Sequence, residues 1–268
     1  MKKIVLLTGN ELRHQYLIKY IANQPDTNVL ATFSESSSGN IVELVSNEEE
    51  NSLRTEHLHA RSKVEKDFFQ LYCEELDYSA NIINILRGEI NNNDHVDYII
   101  KLNPDLIVSY GCSIIQSQLL NIFKNRFMNI HLGLSPYYRG AGTNFWPIVN
   151  NEFSLIGTTF MHIDEGIDTG DIIHQIRAKI YPFDNIHSIG NRLIIDSVKV
   201  CAELIKNFNN LQKHEHKNSL TGKVFKKSDF TEESIKLAYN NLDSKIKNYL
   251  SQKSILDKKF PIINAFES

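Results

Sequence analysis

The sequence predicts an α/β protein: a doubly wound, mostly parallel sheet with a short helical C-terminal extension. Two apolar runs, "KKIVLLT" (2–8) and "DLIVSYG" (105–111), are short and continuous, as in strands of a parallel sheet buried on both faces. Between the first of them and "TNVLATFSE" (27–35) lie Leu12, Tyr16, Leu17, Tyr20 and Ile21 at helical spacing. A strand, a helix and a second strand in that order open a doubly wound, Rossmann-like sheet. The chain has 268 residues, 41% hydrophobic and 23% charged, which suffices for one large domain with a small appendage.

Each element follows in order. Gly9 turns the chain out of the first strand, and Asn10 is the expected N-cap of the first helix. Residues 36–52 are rich in Ser, Asn and Glu and read as a loop or weak helix; residues 53–77 read as one long helix. Asp94 is expected to cap the next helix and Pro104 to stop it before the strand at 105–111. A strand carrying Asn129 and His131 comes next. "SLIGTTFMHID" (154–164) and "GDIIHQIRAKI" (170–180) are two strand-like runs joined by a turn. A helix over about 184–210 places Leu193, Ile194, Val198, Cys201 and Leu204 on one stripe. The core domain is therefore assigned to residues 1–211. Residues 212–268 are assigned as a linker, "KHEHKNSLTGK", and a helical extension whose N-terminus is at Thr231. This extension either docks on the core or pairs with a second subunit, so a homodimer stays open.

Net charge is −3, which provides no field for nucleic acid. Residues 206–268 hold twelve Lys against seven Asp and Glu, about +5, and the remainder is about −8. Their mixed spacing reads as a solvated helical face. Cys73, Cys112 and Cys201 are odd in number and far apart, so neither a disulfide framework nor a zinc site is expected. No run approaches the ~20 apolar residues of a membrane span, and the N-terminal apolar run is too short for a signal peptide. The expected compartment is the cytoplasm.

The chemistry is concentrated in "FMNIHLGLSPYYRGAG" (127–142) and "HIDEGIDTGDII" (162–173). Asn129 and His131 stand two apart in a strand, so their side chains share a face and meet at one spot. An amide donor beside a titratable imidazole suits acyl chemistry. The second segment places Asp164, Asp168 and Asp171 on a tight loop with Gly166 and Gly170. A carboxylate on such a loop can set the tautomer of a nearby imidazole. Asp164 reads as loop-shaping and Asp171, His162 and His174 as structural. His57 and His59 diverge on a helix, which disfavours a metal site. Trp146, Tyr137 and Tyr138 fit either stacking on a ligand or packing, and Arg139 fits either a phosphate or a carboxylate.

Together, "MNIHLGLSPYYRGAG" and "IDEGIDTGDIIHQ" resemble the folate-dependent formyltransferase family, which includes phosphoribosylglycinamide, methionyl-tRNA and nucleotide-amino-sugar N-formyltransferases. The resemblance covers residues 80–210, and residues 1–35 by their β-α-β pattern. It implies the formyltransferase fold, with Asn129, His131 and Asp168 as the catalytic trio. It implies 10-formyltetrahydrofolate as formyl donor and no metal. The pterin would lie between residues 110–115 (Tyr110, Gly111, Cys112, Ser113, Ile114 and Ile115) and residues 164–167 (Asp164, Glu165, Gly166 and Ile167). The chain departs from the family at "HLGLSP", where Gly133 and Ser135 replace a serine and a leucine. It also departs at "TGNELRH", which lacks a phosphate-binding nest of small residues. Arg13 and His14 are candidates there to meet an anionic acceptor. The short tail and the wording around residues 132–148 resemble the sugar-modifying members. The implied acceptor is therefore the primary amine of a nucleotide-linked amino sugar. Methionyl-tRNA, glycinamide ribonucleotide, hydrolysis of the folate and non-catalytic folate binding are the alternatives.

Overall fold

The first strand decides the layering. In β1 (Lys2–Gly9), Ile4 and Leu6 point into one apolar cluster while Val5 and Leu7 point into another. Alternate side chains leave a strand on opposite faces, so helices must cover both sides. A computed structural model of the chain describes residues 1–36, 52–77, 81–215 and 222–266. The polar segment read as a loop or weak helix lies almost wholly outside the described residues, as does the middle of the linker.

After β1 come α1 (Leu12–Ala22), β2 (Thr27–Ser36), α2 (Leu53–Glu75), β3 (Ile82–Leu86), α3 (Asn93–Leu102), β4 (Leu106–Tyr110), α4 (Ser117–Ile122) and β5 (Phe127–His131). The chain continues through β6 (Tyr138–Gly140), α5 (Trp146–Val149), β7 (Gly157–Met161), β8 (Ile172–Arg177) and α6 (Ile186–Asn207). It ends with β9 (Lys223–Phe225), α7 (Glu232–Tyr239) and α8 (Leu242–Lys259). Seven strands form one sheet in the order β3-β2-β1-β4-β5-β7-β8. The first five are parallel, and β7 and β8 each run antiparallel to the strand before them in that order. Leu17 and Ile21 of α1, Phe69 of α2 and Cys201 and Leu204 of α6 cover one face. Val96 and Ile99 of α3 and Leu119 of α4 cover the other.

This is the doubly wound fold that the sequence predicts, with local differences. The N-cap of α1 is Glu11 rather than Asn10, because the His14 ring folds back and its Nδ1 accepts the Glu11 N–H at 3.1 Å. The α3 helix is capped at Asn92, with Asp94 inside its first turn, and it ends on Asn103 in the left-handed region just before Pro104. Neither β3 nor α4 is evident in the sequence: β3 is an edge strand whose Ile82 and Leu86 stay exposed, so it shows no clean alternation.

The winding reverses beside β1, where β2 and β4 flank it, and a crevice opens there beyond the strand ends. His14 fills its floor: a Cβ at Gly9 would come within 2.6 Å of the imidazole, and one at Gly111 would also run into it.

The tail folds onto the core. It comprises a strand and two helices, β9 pairing in parallel with β6 and Thr231 capping α7 through its side chain. Ile246 and Tyr249 of α8 are buried with Phe153, Ile156, Ile186 and Ile189. Residues 263–265 cover the outer edge of β8: Gln175 N donates to Ile263 O at 2.7 Å, and Ala265 N donates to His174 Nδ1 at 2.9 Å. Because this burial is shared with the core, Ile246→Ala is expected to destabilise the whole molecule. It should lower a single cooperative denaturation transition by about 2–5 kcal/mol. An unchanged main transition, with a separate early loss of helix, would show an independently folding tail.

Candidate active site

Asn129 and His131 sit at the C-terminal end of β5, on the face that also carries Phe127. Ser109 stands opposite Asn129 in the β4–β5 register, and its hydroxyl donates to Asn129 Oδ1 at 2.9 Å. That bond fixes the orientation of the amide. Nδ2 has no hydrogen-bond partner among the described residues, and Asn129 lines the cavities described below.

His131 is buried, and both of its nitrogens are engaged. Nε2 lies 3.0 Å from the carbonyl of Tyr138. A carbonyl can only accept, so Nε2 carries the proton. Nδ1 lies 3.2 Å from Asp168 Oδ1, at ion-pair distance. The other carboxylate oxygen, Oδ2, accepts the Gly140 N–H at 2.9 Å. Tyr138 and Gly140 are the two ends of β6, so one three-residue strand holds both members of the pair. Asp168 itself has φ +51, a left-handed conformation that costs non-glycine residues roughly 1–2 kcal/mol and is kept where the surroundings over-determine it. Gly133 is needed close by, because a Cβ there would stand 2.6 Å from His131 Nε2. This is the physical basis of the first departure noted in "HLGLSP".

Two cavities meet at these residues, and a third adjoins one of them. A slot of about 150 Å³ lies between residues 111–115 and 161–170 and is also lined by Asn129 and Asp168. A larger cavity of about 470 Å³ lies on the other side and is lined by Asn129, His131, Asp168, Arg61, His187 and Asn191. It shares Arg13, His57 and Arg61 with a third, of about 360 Å³, whose walls carry Arg54, Arg87, Lys226 and Lys227.

Of the residues expected to contact the pterin, Gly111, Cys112, Ser113, Ile114, Ile115, Asp164, Gly166 and Ile167 line the 150 Å³ slot. Tyr110 does not: it is buried on the side of the 470 Å³ cavity, with its ring 4.8 Å from His14. Glu165 is exposed on the loop and outside the slot lining. Asp164 shapes the loop by accepting from Gly166 N at 2.9 Å and Thr169 Oγ1 at 2.6 Å. Ile114 and Ile167 are 72% and 52% exposed at the slot. Burial pushes the Cys112 thiol up to about 12, so it stays protonated.

Several side chains with two open readings are resolved by packing. Trp146 stacks on Phe225 at 4.4 Å and donates to Ala141 O at 2.9 Å, so it does not offer a free face for a base. Tyr138 is buried, its hydroxyl bonded to Asn150 and Glu152. Tyr137 packs edge-on to Phe260. Arg139 is buried and directs its guanidinium to the Gly222 carbonyl at 3.5 Å. Arg13 is already paired, with Glu65 at 3.0 Å and with Glu11. His14 is buried, and burial pushes its pKa well below the ordinary value. His57 and His187 converge on Tyr239 of α7, at 3.1 and 3.2 Å; burial lowers their pKa values to about 3 and about 4. Among the described residues no group of three or more His, Cys, Asp or Glu is placed to hold a metal ion. No described helix is long and apolar enough to cross a membrane.

Four features of the site have no local signal in the sequence: Ser109, the Tyr138 carbonyl, Arg61 and the Lys226–Lys227 pair. A buried serine beside an Asn-bearing strand is the one clue that was available. A fifth, Glu35, is buried and accepts from Ser113 N at 2.6 Å and Gly88 N at 3.1 Å, holding the slot segment in place.

Comparison with known proteins agrees with this geometry. The profile of the family described as Formyl transferase matches residues 1–205. A methionyl-tRNA formyltransferase of Agathobacter rectalis is 32% identical over 120 residues, covering 44% of this chain and 38% of that protein. The match spans less than half the length of the curated relatives. A phosphoribosylglycinamide formyltransferase from Streptococcus pneumoniae has the same fold at TM-score 0.54 and 20% identity, over 78% of this chain and 99% of that one. So does the formyltransferase PseJ from Anoxybacillus kamchatkensis, at TM-score 0.52 and 20% identity, over 91% and 96%. With its sequence matched from residue 1 to 205 and an Asn-His-Asp cluster at the end of a doubly wound sheet, the chain belongs to the formyl transferase family.

Proposed function

We propose that this protein transfers the formyl group of 10-formyltetrahydrofolate to the primary amine of a nucleotide-linked amino sugar. The observation that carries the reading is the meeting of two unlike cavities at Asn129 and Asp168. On one side is a slot of about 150 Å³ with Ile114 and Ile167 exposed at it and Gly111, Gly166 and Gly170 in its lining. Such a site suits a flat ring with polar edges, as in the folate donor. On the other side is a roomy cavity that continues into one ringed by arginine and lysine. Cavities of this size accommodate nucleotide-sized ligands, and guanidinium and ammonium groups bind the oxygens of a diphosphate.

The chemistry follows from the hydrogen bonds. As the amine attacks the formyl carbon, negative charge develops on the formyl oxygen. Asn129 Nδ2, held open by Ser109, donates to that oxygen. The amine loses a proton as the new C–N bond forms, and the His131–Asp168 pair takes it at Nδ1 or the carboxylate. His131 keeps its Nε2–H on Tyr138 throughout, so the ring does not turn. The tetrahedral adduct then collapses, the bond from the formyl carbon to the folate nitrogen breaks, and that nitrogen takes the proton held by the His131–Asp168 pair, which is thereby reset. Tetrahydrofolate and a formamide leave.

Among the cations of the acceptor side, Arg61 is the one to test. It lines both large cavities, and it stands 3.8 Å from Glu11, a carboxylate already held by Arg13. Arg13 is the weaker candidate, because Glu65 and Glu11 neutralise it. PseJ, of the same fold, was solved with UDP-4,6-dideoxy-4-formamido-L-AltNAc and tetrahydrofolate, which supports a nucleotide-linked sugar on this scaffold.

The direct test is turnover of 10-formyltetrahydrofolate against nucleotide-linked amino sugars, glycinamide ribonucleotide, charged initiator tRNA and a no-acceptor control. Tetrahydrofolate release is expected with one amino sugar. Release with tRNA or glycinamide ribonucleotide alone would replace the acceptor, and release in the control would indicate a hydrolase. Asn129→Ala is expected to lower kcat by ~10²–10³ with little change in folate binding. Undiminished turnover would remove Asn129 from the mechanism. Arg61→Met is expected to raise the KM for the acceptor by ~10–100-fold with kcat within a few-fold, as for loss of a charged hydrogen bond. An unchanged KM would place the anion elsewhere.

A further inference from the structure

The strand that grips His131 and Asp168 is itself held by the C-terminal tail. Tyr138 O and Gly140 N–H make the two grips, and both belong to β6, which is three residues long. β6 lies outside the seven-stranded sheet, in a two-stranded sheet with β9. A two-stranded ribbon is marginal without further packing. Here Phe225 of β9 supplies that packing. Its ring lies flat on Trp146 at 4.4 Å and 9°, and parallel to Tyr138 at 5.8 Å and 9°. Its carbonyl accepts the Ala141 N–H at 2.8 Å, one residue past the Gly140 amide that binds Asp168. The backbones approach so closely that a Cβ at Gly140, where φ is +89, would strike the Phe225 carbonyl. Phe225 lines none of the three cavities; it reaches His131 and Asp168 through β6, and the wall of the 360 Å³ cavity through Trp146.

We propose that Phe225 is a positioning residue for the chemical step: by clamping β9 onto β6, its ring sets the Tyr138 carbonyl and the Gly140 amide, and through them the aim of His131 and Asp168. The proposal rests on His131 and Asp168 being the reacting pair and does not depend on which amine is the acceptor. The pair are held from outside the doubly wound sheet, by a segment 85 residues beyond Gly140. A sub-ångström shift of β6 moves both partners together, and misplacement by about 1 Å can cost ~10²-fold in rate.

The test compares Phe225→Ala, Phe225→Tyr and Ile246→Ala, the last being a tail variant of the core that does not touch β6. Phe225→Leu keeps apolar bulk and is read in place of alanine if that protein does not fold. Two measurements are made. One is the kcat and KM for 10-formyltetrahydrofolate with the acceptor found above. The other is the ¹H–¹⁵N signal of the His131 ring in the ligand-free protein, where the Nε2–H buried on a carbonyl exchanges slowly. Phe225→Ala is expected to lower kcat by ~10–100-fold, to leave the donor KM within twofold, and to shift or lose the His131 Nε2–H signal. Phe225→Tyr should restore both, and Ile246→Ala should leave the signal in place. The proposal is overturned if the signal and kcat survive Phe225→Ala or Phe225→Leu, if Ile246→Ala changes them equally, or if only the acceptor KM moves. The ring signal needs no acceptor. A panel without turnover would therefore count against the proposed acceptor and leave Phe225 decided by the spectrum.

Discussion

The hydrogen bond from His131 Nε2 to the Tyr138 carbonyl organises the site. Because a carbonyl cannot donate, the bond chooses the tautomer, and because it is buried, water does not compete for it. With Nε2 committed, the basic face of the ring is turned to Asp168, whose other oxygen is tied to Gly140. The imidazole and the carboxylate are thus oriented by the backbone of one short strand. Asp168 sits in a left-handed conformation on a glycine-rich loop, and the Gly140 N–H on its Oδ2 is the fixed donor that holds it there.

Charge in the two larger cavities is supplied by guanidinium and ammonium groups. His14, His57 and His187 all face the 470 Å³ cavity, but burial holds each below its ordinary pKa, so each is neutral around pH 7. Arg13 is balanced by its two glutamates. The positive field therefore comes from Arg61 and from the wall of Arg54, Arg87, Lys226 and Lys227, and it changes little across the neutral pH range. The 150 Å³ slot has a different character, with Ile114 and Ile167 exposed at it and a carboxylate, Asp164, spent on shaping its loop.

Much of the framework was legible because the relevant signals are local. Continuous apolar runs identified β1, β4 and the parallel sheet, and the 3.6-residue spacing identified α1 and α6. Asn129 and His131 could be paired because residues two apart in a strand share a face, and Asp168 because glycines make its loop tight. The tight loop between 164 and 170 already joined β7 to β8 as a turn, but direction is not written in an apolar run, so the antiparallel pairing of β7 with β5 was not foreseen. β3 was missed because an edge strand with exposed Ile82 and Leu86 has no regular pattern. The cap of α1 moved from Asn10 to Glu11 because a histidine ring three residues on satisfied the amide there. Ser109, Arg61 and Lys226 reach the site from separate elements, and the Tyr138 contribution is a carbonyl, which no residue type announces. The tail showed its helix start at Thr231, but its docking depends on Phe225, Ile246 and Tyr249 finding partners far back in the chain.

The pairing of β9 with β6 has a consequence for the order in which the molecule matures. Gly140 and Phe225 are 85 residues apart in sequence, and Ile263 returns to Gln175 across a similar gap. Contacts of such span close late, since the chain entropy lost in forming them is recovered only after the intervening elements have packed. On the ribosome, a chain that has emerged as far as α6 already contains Asn129, His131 and Asp168 in a nearly complete sheet. It does not yet contain the strand that steadies their clamp. The Tyr138 carbonyl and the Gly140 amide therefore meet their partner strand only once residues 223–225 have been made and the tail has packed on the core.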